Sequence, residues 1–451
     1  MKSNCVLAVL AVVVMGSFAA GAARAEDAYP LAWVRQLGTN TTDYSRSVAV
    51  DGSDNTYISG ITYGSLGGPN VGKQDAFLAK YDATGALLWT RQLGTTGPDE
   101  SNSVAIDLSG NVYISGRTLG SLGGLNAGSD DVFVAKYNNS GGLLWTRQLG
   151  TGGLDYSWSV AIDNSGSAYI TGYTTGNLGG LNAGMADVFL AKYDSSGSLL
   201  WTRQLGTSSN DFGNAVAVDG LGNAYVSGIT YGSLAGPNAG GSGDAFLTKY
   251  DSSGTLLWTR QFGTNNFDES NSVAIDYSGN VYISGRTAGS LGGPSAGGWD
   301  AFLAKYDCSG VFLWARQLGT NSDDYSSSVA IDGSGNAYIS GPTDGSLGGL
   351  NMGGTDAFLA KYNSSGALLW TYQMIGTEDP FGEVSNATDG SGNIYITANT
   401  TASLGGQNAG GSDAFLAKFS APVPEPGTVF MIASAALGAF GMLIRRRAAH
   451  K

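Results

Sequence analysis

The sequence predicts an all-β fold: a closed ring of seven four-stranded antiparallel blades, a seven-bladed β-propeller with an N-terminal strand completing the last blade. Three observations carry that prediction. Trp33, Trp89, Trp145, Trp201, Trp258, Trp314 and Trp370 recur every 56 or 57 residues, and a fixed period of this kind marks a repeat architecture. Each unit holds four short runs rich in Val, Ile and Tyr, divided by Gly, Asn and Ser turns; these are strand and hairpin signals. The third observation is the phase. An isolated outer-strand sequence, Leu31 to Gly38, precedes the first inner strand, and the last unit ends at Phe419 without an outer strand. The first strand thus supplies what the last blade lacks. A linear solenoid needs no such complement, and it would need polar caps.

The N-terminus lies outside the repeat. Lys2 gives a basic start, Val6 to Ala20 is apolar, and Ala23-Arg24-Ala25 forms a small-residue cleavage site before Glu26. That layout is a secretory signal peptide, residues 1–25, cut between Ala25 and Glu26.

The repeats then run from 31 to 420, and the second unit shows their plan. Ser103 to Asp107 is an inner strand, a, turned by Leu108-Ser109-Gly110-Asn111 into strand b, Val112 to Gly116. A Gly-rich stretch, Leu119 to Asp130, leads to strand c, Val132 to Tyr137. The turn Asn138-Asn139-Ser140-Gly141 then opens strand d, Leu143 to Gly150. Helical periodicity is absent. The a–b and c–d turns are tight and lie on one face, whereas the longer d–a and b–c loops share the other, where loops tend to carry function.

A Pro-rich linker, 421–428, follows the ring and contains Pro424-Glu425-Pro426. Next come an apolar segment, 429–444, and a basic tail, 445–451, opening with Arg445-Arg446-Arg447. The apolar run is slightly shorter than the roughly 20 residues of a full membrane span, and the arginines hold its end on the cytoplasmic side. This predicts a hydrophobic helix that anchors the chain transiently.

Two resemblances follow from these residues. Pro424-Glu425-Pro426, the apolar segment and Arg445 to Arg447 together resemble the PEP-CTERM sorting signal. The resemblance implies an exosortase partner, passage through the inner membrane of a Gram-negative bacterium, and residence at the cell surface or in the extracellular matrix. Over Leu31 to Ser420 the copies are similar to the bacterial β-propeller repeat called SBBP. The matching elements are Ser109-Gly110-Asn111-Val112-Tyr113-Ile114-Ser115-Gly116, Gly120 to Gly128, and Asp75-Ala76-Phe77-Leu78-Ala79-Lys80-Tyr81. That family implies the propeller and no single activity.

Charge narrows the partners. Processing at both ends removes six of the 23 basic residues, leaving 17 against 36 acids, a net charge of −19. Phosphates are repelled by such a chain, so nucleic acid is not an expected partner. The only histidine, His450, leaves with the tail, and of the two cysteines only Cys308 remains. Ser-His-Asp, Cys-His and His-rich zinc chemistry are therefore excluded, as is an internal disulfide. Paired acids survive as the alternative: Asp99-Glu100 and Asp268-Glu269 bring carboxylates together, as a carbohydrate-active enzyme requires.

The repeated charges read as architecture. Lysines on the c strands, such as Lys80, arginines on the d strands, such as Arg91, and the aspartates opening the c strands, such as Asp75, predict inter-strand charge ladders. In the a–b turn, as in Asp332-Gly333-Ser334-Gly335-Asn336, alternating oxygens hint at calcium. The loop lacks the further carboxylates of a calcium site, and a tight turn explains the same letters, so no cofactor is expected.

What breaks the repeat is more informative. Trp158 and Trp299 are the two tryptophans outside the rhythm, and with Asp43, Arg46 and Lys73 they map to the long-loop face. Exposed aromatics on an acidic rim suit a polysaccharide or a surface protein. The expected function is a non-enzymatic binding or structural role in an exopolysaccharide or biofilm setting, with a carboxylate-dependent carbohydrate enzyme as the alternative. Off-repeat acids gathered at one channel mouth would favour the enzyme. Acids recurring at equivalent positions, as they do along the sequence, favour the scaffold.

Overall fold

In the computed structural model, which describes residues 29–351, 353–374 and 383–422, every regular element is a strand. The signal-peptide residues Ala25 and Glu26, the motif Pro424-Glu425-Pro426, the segment 429–444 and Arg445 to Arg447 lie outside the described residues. Among the described residues no helix is long and apolar enough to cross a membrane.

Strand β1 (Leu31–Leu37) stands first. Blade 1 is β2 (Asp43–Val50), β3 (Thr56–Thr62), β4 (Asp75–Tyr81) and β5 (Leu87–Leu93). Blade 2 is β6 (Asp99–Ile106), β7 (Val112–Thr118), β8 (Asp131–Tyr137) and β9 (Leu143–Leu149). Blade 3 is β10 (Asp155–Ile162), β11 (Ala168–Thr174), β12 (Asp187–Tyr193) and β13 (Leu199–Leu205). Blade 4 is β14 (Asp211–Val218), β15 (Ala224–Thr230), β16 (Asp244–Tyr250) and β17 (Leu256–Phe262). Blade 5 is β18 (Asp268–Ile275), β19 (Val281–Thr287), β20 (Asp300–Tyr306) and β21 (Phe312–Leu318). Blade 6 is β22 (Ser328–Ile331), β23 (Ala337–Thr343), β24 (Asp356–Tyr362) and β25 (Leu368–Met374). Blade 7 joins β26 (Ser385–Thr388), β27 (Ile394–Thr400) and β28 (Asp413–Phe419) to β1, in the order β26-β27-β28-β1. Each of the seven sheets has four antiparallel strands. The N-terminal strand closes the ring, Val34 facing Ala417 and Leu37 facing Ala414.

Burial follows from blades stacking face to face. The two middle strands of a blade are covered on both faces, so β4 reads Asp-Ala-Phe-Leu-Ala-Lys-Tyr and is buried throughout, as expected for a doubly covered strand. Outer strands begin exposed, as at Leu87 and Leu88. Between blades 1 and 2, Tyr57, Ala76 and Leu78 meet Val104, Val112, Ile114 and Phe133, with Trp89 against them. The Trp89 ring stands edge-on to Tyr57 at 6.0 Å, a favoured aromatic geometry, and its Nε1 donates to the Asn139 carbonyl of the next blade at 3.3 Å. The repeated tryptophan is a joint between blades.

The structure corrects the expected charge ladders. Arg91 lies over Trp89, 5.2 Å from the ring centre, and its Nε donates to the Gly141 carbonyl of the following blade at 2.7 Å. Lys136 pairs across strands with Asp107 of the a–b turn at 3.4 Å. Asp75 is at the other end of its strand, where its Oδ2 accepts from Gln92 Nε2 at 2.8 Å and from the Val71 amide at 3.0 Å. Gln92 Oε1 in turn accepts from the Leu66 and Gly67 amides. The Arg-Gln pair of the outer strand and the Gly-Ser-Leu-Gly-Gly loop are thus two halves of one staple.

The a–b turn saturates its own aspartate. Asp107 Oδ1 accepts from the Ser109 and Asn111 amides at 2.9 Å, and its Oδ2 accepts from Asn111 Nδ2 at 2.8 Å, which is an Asx turn. Gly110 adopts φ +78° to close it, a conformation that suits glycine.

A second glycine is required by closeness. A Cβ on Gly116 would stand 1.7 Å from the Glu100 carbonyl oxygen of the inner strand. Gly60, Gly172, Gly228, Gly285 and Gly341 are equally tight. Blade 7 carries Ala398 at this place, and its inner strand begins only at Ser385. Gly116→Ala is expected to cost about 3 kcal/mol or more through forced separation of β6 and β7. Urea unfolding measures it, and a cost under about 1 kcal/mol would refute the close approach.

Candidate functional site at the mouth of the central channel

The innermost strand of each blade faces its six equivalents, and in blades 1 to 5 its fourth residue breaks the pairing. Register shifts fall between Ser45 and Ser47, Ser101 and Ser103, Ser157 and Ser159, Gly213 and Ala215, and Ser270 and Ser272. These are β-bulges, which re-aim a side chain. The bulged residues are Arg46, Asn102, Trp158, Asn214 and Asn271, and all five line one cavity of about 740 Å³ walled by inner strands of all seven blades. Ser327 and Val384 take the corresponding places in blades 6 and 7. Behind them runs a belt of serines. Ser47 Oγ accepts from the Val104 amide of the next blade at 3.2 Å, Ser103 from Val160 at 3.1 Å, and Ser385 from Val48 across the ring closure at 3.3 Å.

The asparagines tie neighbouring blades. Asn102 Nδ2 donates to the Ser157 carbonyl at 2.9 Å, and Asn271 Nδ2 to the Ser326 carbonyl at 3.0 Å. Asn214 Nδ2 donates to both Glu269 Oε1 and the Ser270 carbonyl. Arg46 and Trp158 occupy the same bulge but cannot make this tie. Arg46 Nη1 instead donates to Glu383 Oε1 of blade 7 at 2.5 Å.

Around this ring lie two clusters of aromatic and charged side chains. In the first, Arg117 bridges Glu100 and Asp130 and lies over Tyr156, 4.7 Å from its centre. Tyr156 stacks on Tyr173 at 5.1 Å and touches Trp158 at 5.7 Å; Tyr173 meets Phe212 edge-on at 5.0 Å. Burial works against the Arg117 charge, but Glu100 outweighs it and holds the guanidinium above its ordinary pKa. Burial pushes the Tyr156 hydroxyl up to about 12.

In the second cluster, Arg286 pairs with Glu269 at 2.6 Å and caps three rings: Trp299 at 3.9 Å, Phe267 at 5.1 Å and Tyr325 at 5.3 Å. Phe267 and Trp299 stack at 5.4 Å. Asp323 accepts from the Trp299 amide at 3.0 Å and from the Tyr325 hydroxyl at 3.3 Å. Burial, aided by Asp323, pushes that hydroxyl up to about 12.

The sequence-predicted residues divide accordingly. Arg46 and Trp158 meet at the cavity wall, although on strands β2 and β10 rather than in the loops to which the spacing assigned them. Trp299 is in a b–c loop, one layer behind the wall, beneath Arg286. Lys73 is exposed on another b–c loop, outside the cavity lining. Asp43 opens β2 and is wholly buried, its Oδ2 accepting from the Thr39 amide at 2.6 Å and the Thr39 hydroxyl at 2.8 Å. It anchors the d–a loop and presents nothing to a ligand.

Two further expectations are corrected. Asp99 and Glu100 cannot act as a carboxylate pair, because neighbours on a strand point to opposite faces: Asp99 anchors Thr95 and Glu100 meets Arg117. Asp268 and Glu269 divide in the same way. Off-repeat acids also prove to be gathered, not spread. Glu269, Asp323, Asp344 and Glu383 line the cavity, with Glu100 and Asp130 beside it. Each accepts from an arginine, tyrosine, threonine or backbone donor, so none forms an unpartnered pair flanking a scissile bond. A sequence signal for this site existed. Within the ring, the arginines off the outer strands are Arg46, Arg117 and Arg286, and the repeat itself uses no glutamate.

Six segments, residues 32–67, 88–123, 144–179, 200–235, 257–292 and 313–348, match the beta-propeller repeat family SBBP. Each opens on the outer strand of one blade and ends in the b–c loop of the next, so the family unit is the joint between blades. Residues 422–447 match the PEP-CTERM protein-sorting motif.

The chain carries six SBBP beta-propeller repeats and a PEP-CTERM sorting motif.

The motif marks an exported protein and implies processing by an exosortase. The propeller is similar to regulatory protein FlaEY of Caulobacter vibrioides, 27% identical over 75% of this chain and 39% of that protein. It is also similar to an uncharacterized WD repeat-containing protein of Acanthamoeba polyphaga mimivirus, 22% identical over 76% of this chain and 34% of that one. The chain therefore spans less than two fifths of the length of either relative. Among solved structures, polysaccharide lyase Uly1 is 10% identical with a TM-score of 0.48, covering 85% of this chain and 91% of the lyase. A mutant NanB sialidase of Streptococcus pneumoniae is 11% identical with a TM-score of 0.42, covering 87% and 70%. Neither likeness carries an activity to this propeller.

Proposed function

We propose that this exported propeller works at the cell surface or in the extracellular matrix of a Gram-negative bacterium, as a non-enzymatic binding and structural protein that holds exopolysaccharide at its channel mouth. One observation carries the reading. Off-repeat side chains converge on a single cavity, with Trp158, Arg46 and Arg286 on its wall and the Arg117 cluster beside it. Repeated residues are accounted for by blade packing; these are not. Half-buried rings beside amide and hydroxyl groups suit sugar recognition, since a ring face covers the apolar side of a pyranose while the polar rim meets its hydroxyls. The gathering of off-repeat acids at the mouth suits the alternative, a carboxylate-dependent carbohydrate enzyme, whereas the engagement of each of them by a donor supports binding.

The test is co-sedimentation of the mature protein with matrix polysaccharide from the producing cells. Wild type is expected in the pellet, and Trp158→Ala is expected to lose about tenfold in affinity, the usual cost of an aromatic anchor. Failure of the wild type to sediment with any polysaccharide fraction, or turnover of that fraction by the protein, would overturn the reading.

A further inference from the structure

We infer that the chain held at this mouth is an uncharged, hydroxyl-rich glycan and not a uronate- or sulfate-bearing one; the inference rests on the polysaccharide-binding reading above. Recognition of an anionic sugar draws on guanidinium groups with donors to spare. Here each guanidinium already holds at least one carboxylate, while the buried Nε of Arg46 and of Arg117 has no hydrogen-bond partner among the described residues. Arg46 is 2.5 Å from Glu383, Arg286 is 2.6 Å from Glu269, and Arg117 sits between Glu100 and Asp130. Two of them are stacked on rings as well, Arg286 over Trp299 and Arg117 over Tyr156. With Asp323 and Asp344 included, six carboxylates face three guanidiniums, so the mouth keeps an excess of three negative charges. Walls that concentrate one sign of charge turn away ligands of the same sign.

The hydrogen-bonding inventory points the same way, independently of charge. Asn102 is 8% exposed and Asn386 is 6% exposed, both line the cavity, and the side-chain carbonyl oxygen of each has no hydrogen-bond partner among the described residues. The Nδ2 of each is already spent on blade-to-blade bonds. The unpartnered polar atoms on this wall are thus two acceptors and one donor, the Arg46 Nε, and buried polar atoms without a partner are costly. A uronate or sulfate oxygen can only accept, whereas a sugar hydroxyl both donates and accepts. Trp158, in the bulge between Asn102 and Asn214, gives the ring face against which a neutral pyranose stacks.

Affinity electrophoresis of the mature protein tests this, using gels containing a neutral glucan, polygalacturonate or chitosan at about 50 mM and about 500 mM salt. The expected result is retardation by the glucan at both salt levels, none by polygalacturonate at either, and about tenfold weaker glucan binding for Asn102→Ala. Glu383→Gln, which releases Arg46, is expected to gain retardation by polygalacturonate at low salt. Stronger retardation of wild type by polygalacturonate, or by chitosan alone, would overturn the neutral-glycan inference and leave the mouth standing as a glycan site. Retardation by none of the three would overturn the site reading itself.

Discussion

The ring is expected to unfold at a higher temperature near pH 4.5 than near pH 7.5. Five aspartates that open inner strands, Asp43, Asp99, Asp155, Asp211 and Asp268, and Asp324 at the equivalent place in blade 6 are wholly buried. Burial raises the pKa of each above the ordinary 3.8, against the lowering effect of threonine donors. The aspartate opening a neighbouring c strand adds to the rise, as Asp75 does for Asp99. A raised folded pKa means that the folded chain binds its proton more tightly than the unfolded chain. The stability from these six is therefore complete below about pH 3.8 and lost as pH rises through their folded values. The turn aspartates act oppositely. At Asp107 burial raises the pKa, but the Asn111 side chain, the Asn111 amide and Lys136 outweigh it, and the net shift is downward. Asp51 and Asp163 behave alike, and their contribution is lost only as pH falls through their folded values, below about 3.8. The sum is a maximum on the acid side of neutrality, above about pH 3.8.

Asp99→Asn tests the cause. The amide oxygen still accepts from the Thr95 amide and hydroxyl, now at 2.6 and 2.9 Å from Oδ2, while the buried charge is gone. It is expected to raise the melting temperature at neutral pH and to flatten the profile. Asp99→Ala strands both donors and is expected to lower melting at every pH, by about 1–3 kcal/mol. Melting followed by circular dichroism decides; stability that climbs steadily from pH 4 to neutral would sink the argument.

Deleting Leu31–Leu37 is expected to abolish cooperative folding. β1 contributes far more than one edge. It pairs along β28, which is buried over its whole length. Trp33 stands edge-on to Tyr395 and packs against the cluster that joins blade 7 to blade 1. Arg35 Nε reaches the Gly85 carbonyl of blade 1 at 2.7 Å, and Gln36 Nε2 satisfies the buried Asp413 at 2.9 Å. Loss of the strand strands all of these at once, a cost of about 5 kcal/mol or more. The same residues joined after Ser420 through a turn of the kind that links Tyr81 to Leu87, in a permuted chain that begins near Asp43, are expected to restore wild-type melting, because the strand then occupies the same edge of β28. A deletion variant that still melts cooperatively within a few degrees of wild type would show that the ring closes without it.

How much of this was legible in advance depends on which residues repeat. The strand boundaries, the closing strand and the inter-blade tryptophans follow from letters that recur seven times, since each copy must solve one packing problem. The charge ladders were misjudged for a local reason. Asp75 and Lys80 stand on one strand, but its length places them at opposite ends of the blade, one beside a loop and the other beside a turn. The mouth was half legible. Trp158 and Arg46 could be flagged as departures from the pattern, yet alternation along an unbroken strand gives no reason for the fourth residue to face the channel. Glu100, Arg117, Glu269 and Arg286 went unread as a set because their partners lie 17 residues apart on paired strands.

The sequence by itself determined the number of blades, the closure of the ring and, through its C-terminal motif, export. These rest on periodicity and local composition, which a chain displays without being folded. Tertiary structure alone decided where the exceptions meet. A bulge displaces one side chain into the channel, and seven strands converging on one axis bring residues more than 300 positions apart, Arg46 and Glu383, within 2.5 Å. Convergence is a property of the closed ring, and no window along the chain contains it.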